Sequence, residues 1–239
     1  MNSTLRDIIA ASQRIVFFGG AGVSTASGIP DYRSKGGLYD QKNKRSPEEM
    51  LSRTFFINHT AEFYDFYRSN LLHLDVKPND AHRVLAELEE CGKLTAIVTQ
   101  NIDGLHQTAG SKQVFELHGS AWNNSCMECA KPYDVRDIAS GKDVPRCECG
   151  GIIKPDVVLY EEPLSDEVVS GAVNAIASAD TLIVGGTSLA VYPAAGMVRY
   201  FGGDNLVLIN QTPTSYDRCA TLIIREPIDK VLREAVSPG

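Results

Sequence analysis

Basic residues are the scarcer charge in this chain, 23 Lys and Arg against 30 Asp and Glu, for a formal net charge of -7. A surface without uniform positive potential disfavours non-specific binding to phosphate backbones, although it leaves room for a basic partner such as a lysine-rich protein tail. Long apolar runs are missing too. No stretch approaches the ~20 residues that span a bilayer, and Met1 to Asp7 carry no apolar core behind basic residues, so neither a membrane span nor a secretory leader is expected. The expectation is a cytoplasmic protein. Internal repeats and low-complexity tracts are also absent, so nothing marks the chain as an array or a linker. What is present is an ordinary globular composition, 43% hydrophobic and 22% charged over 239 residues, enough for one large domain with a smaller insertion.

Cysteine is scarce as well, with six in the chain, and placement says more than number. Cys91 and Cys219 stand alone and read as packing residues, whereas Cys126, Cys129, Cys147 and Cys149 cluster. Without a leader the thiols stay reduced, so two close pairs argue for thiolate metal ligation rather than disulfides. Cys126-Met127-Glu128-Cys129 is a two-residue knuckle. Cys147-Glu148-Cys149-Gly150-Gly151 is one residue tighter, with glycines that let the backbone fold around an ion. Four sulfurs suit one tetrahedral Zn2+ with no open position, a structural site. Charges around the knuckles are evenly mixed, and no basic stripe with interleaved aromatics surrounds them, so direct nucleic-acid binding is not expected.

Apolar runs alternate with helical patterns along most of the chain. Residues 3–13 predict a helix, 15–18 a buried strand, and 79–90 a helix with Asn79 as N-cap before Ala81, Val84, Leu85 and Leu88. Further strands are predicted at 94–98, 114–117, 157–160, 182–184, 206–209 and 222–224, with helices at 166–179, 193–201 and 227–236. This alternation implies an α/β fold with a doubly wound parallel Rossmann-like sheet. Two stretches interrupt it. Residues 38–74 are polar and then aromatic, and read as helices covering a groove; residues 121–154 carry the cysteines. The expected organisation is a large dinucleotide-binding domain from 1–37, 75–120 and 155–239. A smaller domain combines the helical 38–74 with the zinc-ribbon 121–154, and the active cleft lies between the two.

Three polar clusters sit at or just after predicted strands, where ligands collect in an open α/β sheet. They are the glycine-rich 19–33, Thr99-Gln100-Asn101-Ile102-Asp103-Gly104, and Leu117-His118-Gly119. Glycines at 19, 20 and 22 allow close approach of a diphosphate. A dehydrogenase fingerprint is not met: counting from Gly20, the sixth position holds Thr25 rather than glycine or alanine, and no clear acidic residue ends a second strand. Tyr32 and Arg33 stand just beyond the loop, placed to close over a nucleotide.

Taken in order, Gly20-Ala21-Gly22-Val23-Ser24, Gly28 to Arg33, Thr99 to His106, His118-Gly119, the four cysteines, Gly186-Thr187-Ser188-Leu189 and Ile209-Asn210 resemble the sirtuins, NAD-dependent protein-lysine deacylases, in their short bacterial form. The resemblance spans most of the chain, and the series is far more specific than any one motif. It implies that NAD is a co-substrate and Zn2+ a structural ion. Gly20, Ala21, Gly22, Thr25, Tyr32 and Arg33 would form the loop that holds the diphosphate and caps the nicotinamide ribose. Gln100 and Asn101 would face that ribose, and Ile102 and Asp103 would hold the carboxamide. Gly186, Thr187, Ser188, Asn210 and Ile228 would bind the adenosine half. Val157 to Tyr160 and Val191 to Ala194 would flank an acyl-lysine protein or peptide that inserts as an extended strand. His118 would be the general base, with Asn101 and Asp103 orienting hydroxyls, water and amide.

Those residue types suit the chemistry. Loss of nicotinamide develops positive charge at the anomeric carbon, which an acyl oxygen can trap; an imidazole near neutral pKa can then take a proton from a ribose hydroxyl. The chain also departs from the family pattern. Tyr32 stands where phenylalanine is usual, and Tyr160-Glu161-Glu162 replaces Phe-Gly-Glu, adding negative charge beside the substrate. Relatives that remove succinyl or malonyl groups carry Tyr and Arg three apart in the helical insertion; the matching pair here is Tyr64 and Tyr67, with Arg68 one place late. Acetyl is therefore expected over acidic acyl groups. Two rival classes fit parts of the pattern: a protein ADP-ribosyltransferase using the same NAD site, and a non-catalytic nucleotide-binding scaffold held by zinc.

Overall fold

A computed structural model describes residues 4–32, 36–40 and 45–237. Nine strands occur among them: β1 Ile15–Gly19, β2 Leu94–Thr99, β3 Val114–Glu116, β4 Gly119–Cys126, β5 Pro132–Asp134, β6 Ile153–Val157, β7 Thr181–Gly185, β8 Asn205–Ile209 and β9 Leu222–Ile224. Nine α-helices accompany them: α1 Leu5–Ala11, α2 Pro47–Met50, α3 Arg53–Asn58, α4 Thr60–Asn70, α5 Asp80–Glu90, α6 Leu105–Thr108, α7 Val135–Ala139, α8 Asp166–Ser178 and α9 Ile228–Val236.

Six strands form a parallel sheet in the order β3-β2-β1-β7-β8-β9. Every residue of β1 and β7 is buried, because helices cover both faces and leave no wet side to alternate toward. One face packs on α1, α5 and α9 through Ile8, Leu85 and Leu232, and the other on α8 through Ala172 and Ile176. Helix α5 begins where Asn79 Oδ1 accepts the Ala81 N–H at 2.9 Å, and its buried Ala81, Val84, Leu85 and Leu88 lie at helical spacing. The strand order reverses between β1 and β7, so their loops diverge and open a crevice at the carboxyl ends.

The expected strand at 157–160 is corrected. Residues 153–157 form β6, which pairs antiparallel with β4 in a separate three-stranded sheet, β5-β4-β6, instead of joining the parallel one. Apolar content alone does not report a partner, and here Val157 lies in register with Gly119. The segment expected as a helix at 193–201 is a 3₁₀ helix, Ala194–Tyr200, behind the cis Tyr192–Pro193 peptide. The small sheet and helices α2 to α4 share their own core, with Phe56, Phe63, Tyr64 and Tyr67 packed against Val135, Ile138 and Ile153.

Helices α5 and α6 bury His82 and His106, with ring centroids 4.8 Å apart. The Asn79 N–H donates to His82 Nδ1, and among the described residues neither His106 nitrogen has a partner. Burial pushes the His82 pKa down from 6.5 to about 4 and that of His106 well below 6.5. Both are neutral in the fold but protonate near 6.5 once unfolded, so their stabilising effect is full above that pH and is lost as pH falls from 6.5 toward 4. For His82 alone the loss is expected to reach about 3 kcal/mol. Urea midpoints measured from pH 7 to 4 check this: the wild type should lose stability more steeply than His82→Asn, and parallel curves would contradict it.

Candidate active site

The site is built where β1, β2 and β7 end side by side, with Gly19 in register with Thr99 on one side and Gly185 on the other. Loops leaving β1 and β7 interlock through backbone. The Gly22 N–H donates to Gly186 O at 2.8 Å, and a Cβ on Gly22 would lie 2.8 Å from Gly186 Cα. Gly186 has φ +60° and would press a side chain into the Val23 backbone. Glycine is required at both places because two chains pass with no room between them. A Cβ on Gly20 would meet Thr187 at 2.8 Å.

Gln100 links three of the expected segments. Its backbone N–H donates to Gly19 O at 3.0 Å, its side-chain Nε2 donates to Thr187 Oγ1 at 3.0 Å, and its carbonyl accepts from His118 Nδ1 at 2.9 Å. A carbonyl only accepts, so the proton of a neutral His118 sits on Nδ1 and the Nε2 lone pair is left as a base. Burial pushes the His118 pKa below 6.5, against the opposing pull of the Gln100 carbonyl. The imidazole is thus neutral at physiological pH. The Val158 N–H donates to His118 O at 2.9 Å, which joins this residue to the segment running from β6 to Tyr160.

Asn101 and Asp103 meet through a residue that the motif reading did not single out. Ser24, 1% exposed, donates to Asp103 Oδ2 at 2.6 Å and accepts from Asn101 Nδ2 at 3.1 Å. Its place in the 20–24 run was the available signal. Asp103 Oδ1 also accepts the Leu105 N–H at 2.9 Å, and the Trp122 indole N–H donates to Asp103 O at 2.8 Å. Asn79 braces the loop from the other side, donating to Val23 O and Ser27 Oγ. Ala21, Ser24, Tyr32, Gln100, Asn101, Ile102 and Asp103 all line one cavity of about 70 Å³, whose wall also includes Leu38, Asn70, Leu71 and His73.

Other expected residues lie elsewhere. The Thr25 hydroxyl is turned back onto Gly22 O at 3.0 Å. The Ile228 side chain is buried in the core beneath Gly185, leaving only its backbone N–H, at the first turn of α9, to offer a ligand. Ser188 is half-buried beside Thr187, and Asn210 stands at the end of β8 with its amide on Thr212. Arg33 lies outside the described residues. The placement of Tyr64 and Tyr67 on a substrate pocket is corrected: both rings are 0% exposed and packed in the small-module core, where Tyr64 donates to Ile153 O. Tyr160 is 38% exposed and Val191 half-buried, on separate segments. The Glu161 carboxylate is fixed in place and kept charged, because it accepts both the N–H and the hydroxyl of Thr54 at the start of α3. Those bonds lower its pKa. Glu161 holds φ +75°, a conformation that glycine adopts without strain.

The four cysteines converge as expected. All four sulfurs lie within 4.8 Å of one another, and the Cys126–Cys149, Cys129–Cys147 and Cys129–Cys149 separations are 3.5, 3.6 and 3.5 Å. A tetrahedron with Zn–S of about 2.3 Å has edges of about 3.8 Å, so the donor set fits one closed zinc site. Among the described residues no other metal-ligating cluster occurs, and no helix is long and apolar enough to cross a membrane.

A family model described as the Sir2 family matches residues 20–193. A Clostridium acetobutylicum NAD-dependent protein deacetylase is 59% identical over 97% of this chain and 96% of its own. Its Clostridium perfringens counterpart is 58% identical over 97% of both. Among solved structures, a Sir2–p53 peptide–NAD+ complex superposes with a TM-score of 0.84 at 39% identity, covering 95% of this chain and 94% of that one. Sir2 bound to an acetylated peptide gives 0.83 at 37%, with the same coverage. The interlocked glycine loops, the Gln100–His118 bond, the cysteine cluster and these likenesses agree, and the chain belongs to the Sir2 family.

Proposed function

We propose that this chain removes acyl groups, acetyl above all, from protein lysines with NAD as co-substrate, releasing nicotinamide, free lysine and O-acyl-ADP-ribose. The observation that carries the reading is the His118 Nδ1–Gln100 O bond, which leaves Nε2 free as a base next to the loop that holds Asn101 and Asp103. NAD supplies an electrophilic sugar carbon once its nicotinamide departs. Around it, Gly20, Ala21, Gly22 and Tyr32 would hold the diphosphate and cap the nicotinamide ribose, and Gln100 and Asn101 would face that ribose. Ile102 and Asp103 hold the carboxamide, while Gly186, Thr187, Ser188 and Asn210 take the adenosine half. His118 then accepts a proton from a ribose hydroxyl. Ser24 fixes the Asn101 amide and the Asp103 carboxylate relative to each other, which is the positioning that proton transfer needs. The substrate strand lies between residues 157–160 and 191–194.

Arg68, on α4 of the helical insertion, is turned toward backbone carbonyls of the small module. It stands one place beyond the Tyr–Arg spacing of relatives that remove acidic acyl groups, and its Nε and Nη2 are held by Ile138 O at 2.8 Å and Asp143 O at 2.9 Å, while Nη1 is buried and, among the described residues, without a hydrogen-bond partner. A buried carboxylate without that partner forgoes about 1.5 to 3 kcal/mol, and kcat/KM is expected to favour acetyl-lysine over succinyl-lysine by about 10- to 100-fold. Mass spectrometry on a panel of acyl-lysine peptides with NAD tests activity and preference together. Deacylated peptide with the sugar ester is the expected result. Equal efficiency on both peptides would overturn the preference, and label retained on protein instead of the ester would mean ADP-ribosyl transfer.

A further inference from the structure

We propose that Arg225 is a positioning residue for the adenosine half of the NAD site: it clamps the loop after β8 in the shape that presents Asn210. The inference rests on the functional reading above, in which Asn210 meets the adenosine. Tyr216 packs against the core at the far end of this loop, whereas Gln211, Thr212 and Pro213 next to Asn210 are all exposed. There the shape comes from a polar network. Arg225 Nη1 donates to Asn210 O and to Thr212 O, both at 2.9 Å, and Nη2 pairs with Asp217 Oδ2. Asp217 Oδ1 in turn accepts the Thr214 N–H at 3.0 Å and the Thr214 hydroxyl at 2.9 Å. The Asn210 N–H is anchored on Ile224 O at 3.1 Å, one residue before Arg225.

One guanidinium therefore bridges two turns of the loop and the side chain that braces its far end. The guanidinium divides this task between two nitrogens, Nη1 for the two carbonyls and Nη2 for the Asp217 carboxylate, whereas a lysine would have to serve all three acceptors from a single nitrogen. With the loop so held, Asn210 Nδ2 is satisfied by Thr212 O and Oγ1. Its Oδ1 then remains for a donor such as a ribose hydroxyl. The network lies at the carboxyl edge of the sheet, on the β8 side of the switch point, so it acts on nucleotide binding and not on the reacting carbon.

The test uses the full chain, with NAD varied at saturating acetyl-peptide and ADP-ribose binding measured by calorimetry. Arg225→Ala is expected to raise both KM for NAD and Kd for ADP-ribose about five- to tenfold, with kcat and peptide KM within about twofold. Arg225→Lys should recover only part of the loss. Should Arg225→Ala fail to fold, Asp217→Asn decides the matter, with an expected two- to threefold weakening of about the same pattern. Unchanged ADP-ribose affinity in the folded variant, or equal losses in kcat and peptide KM, would overturn the proposal. Asn210→Ala separates the two layers: if it leaves ADP-ribose affinity intact, the placement of the adenosine fails, whereas weakening by Asn210→Ala without weakening by Arg225→Ala sinks the positioning role alone.

Discussion

His118→Ala is expected to lower peptide deacetylation by about 10² to 10⁴-fold while leaving ADP-ribose affinity within a few-fold of wild type. The contacts separate the two effects. His118 reaches the nucleotide loops through one bond, Nδ1 to Gln100 O, whereas Gln100 is held independently by Gly19 O and Thr187 Oγ1. Removing the imidazole thus deletes the proposed base and leaves Gln100 and the proposed NAD loop in place. Single-turnover rates and calorimetry on the same preparation check both halves. The pH profile gives a second reading. Because burial keeps the His118 pKa below 6.5, the acid limb of kcat/KM should lie below that pH and vanish in the variant. Wild-type turnover by His118→Ala would remove this residue from the mechanism.

Stripping the metal is expected to abolish activity without touching a catalytic group. Cys126 and Cys147 are themselves buried members of the small-module core, next to Ile153, Val135 and Tyr64. Strand β4 runs from Gly119, which follows His118, to Cys126, so the metal knuckle and the candidate base sit at opposite ends of one strand. Its neighbour β6 passes from Ile153, paired with Cys126, to Val157, paired with Gly119. Structural zinc contributes on the order of 10 kcal/mol in small domains, comparable to the whole stability of a typical fold. Cys147→Ser, or chelation, should therefore unfold residues 119–157 and release the substrate edge, while the parallel sheet persists. Hydrogen exchange should show protection lost in that segment and kept in β1 and β7, together with zinc lost by elemental analysis. Full turnover by metal-free protein would contradict this.

Much of the site was legible before any coordinates because it lies in short contiguous runs. Gly20 to Ser24, Thr99 to Gly104 and the cysteine knuckles each place several groups on one loop, where spacing in sequence equals spacing in space. Tyr64 and Tyr67 were misplaced because helical periodicity gives a face but not what the face meets; here it meets β6 and α7. Glu161 shows a similar limit, since a charge on a turn says nothing of the Thr54 N–H and hydroxyl that donate to it and fix where it points. Ser24 and Arg225 escaped notice as ordinary polar residues whose partners stand 79 and 15 positions away.

The sequence by itself determined the alternation that makes a doubly wound sheet and the pairing of four cysteines into two close knuckles, because apolar patterning and short-range spacing act over a few residues. Only the tertiary structure decided which sheet β6 joins, which nitrogen of His118 is free, and how Asn101 and Asp103 are tied together through Ser24. Those outcomes depend on hydrogen-bond partners brought together from distant parts of the chain, and such pairing is set by the packing of whole layers rather than by any window of residues.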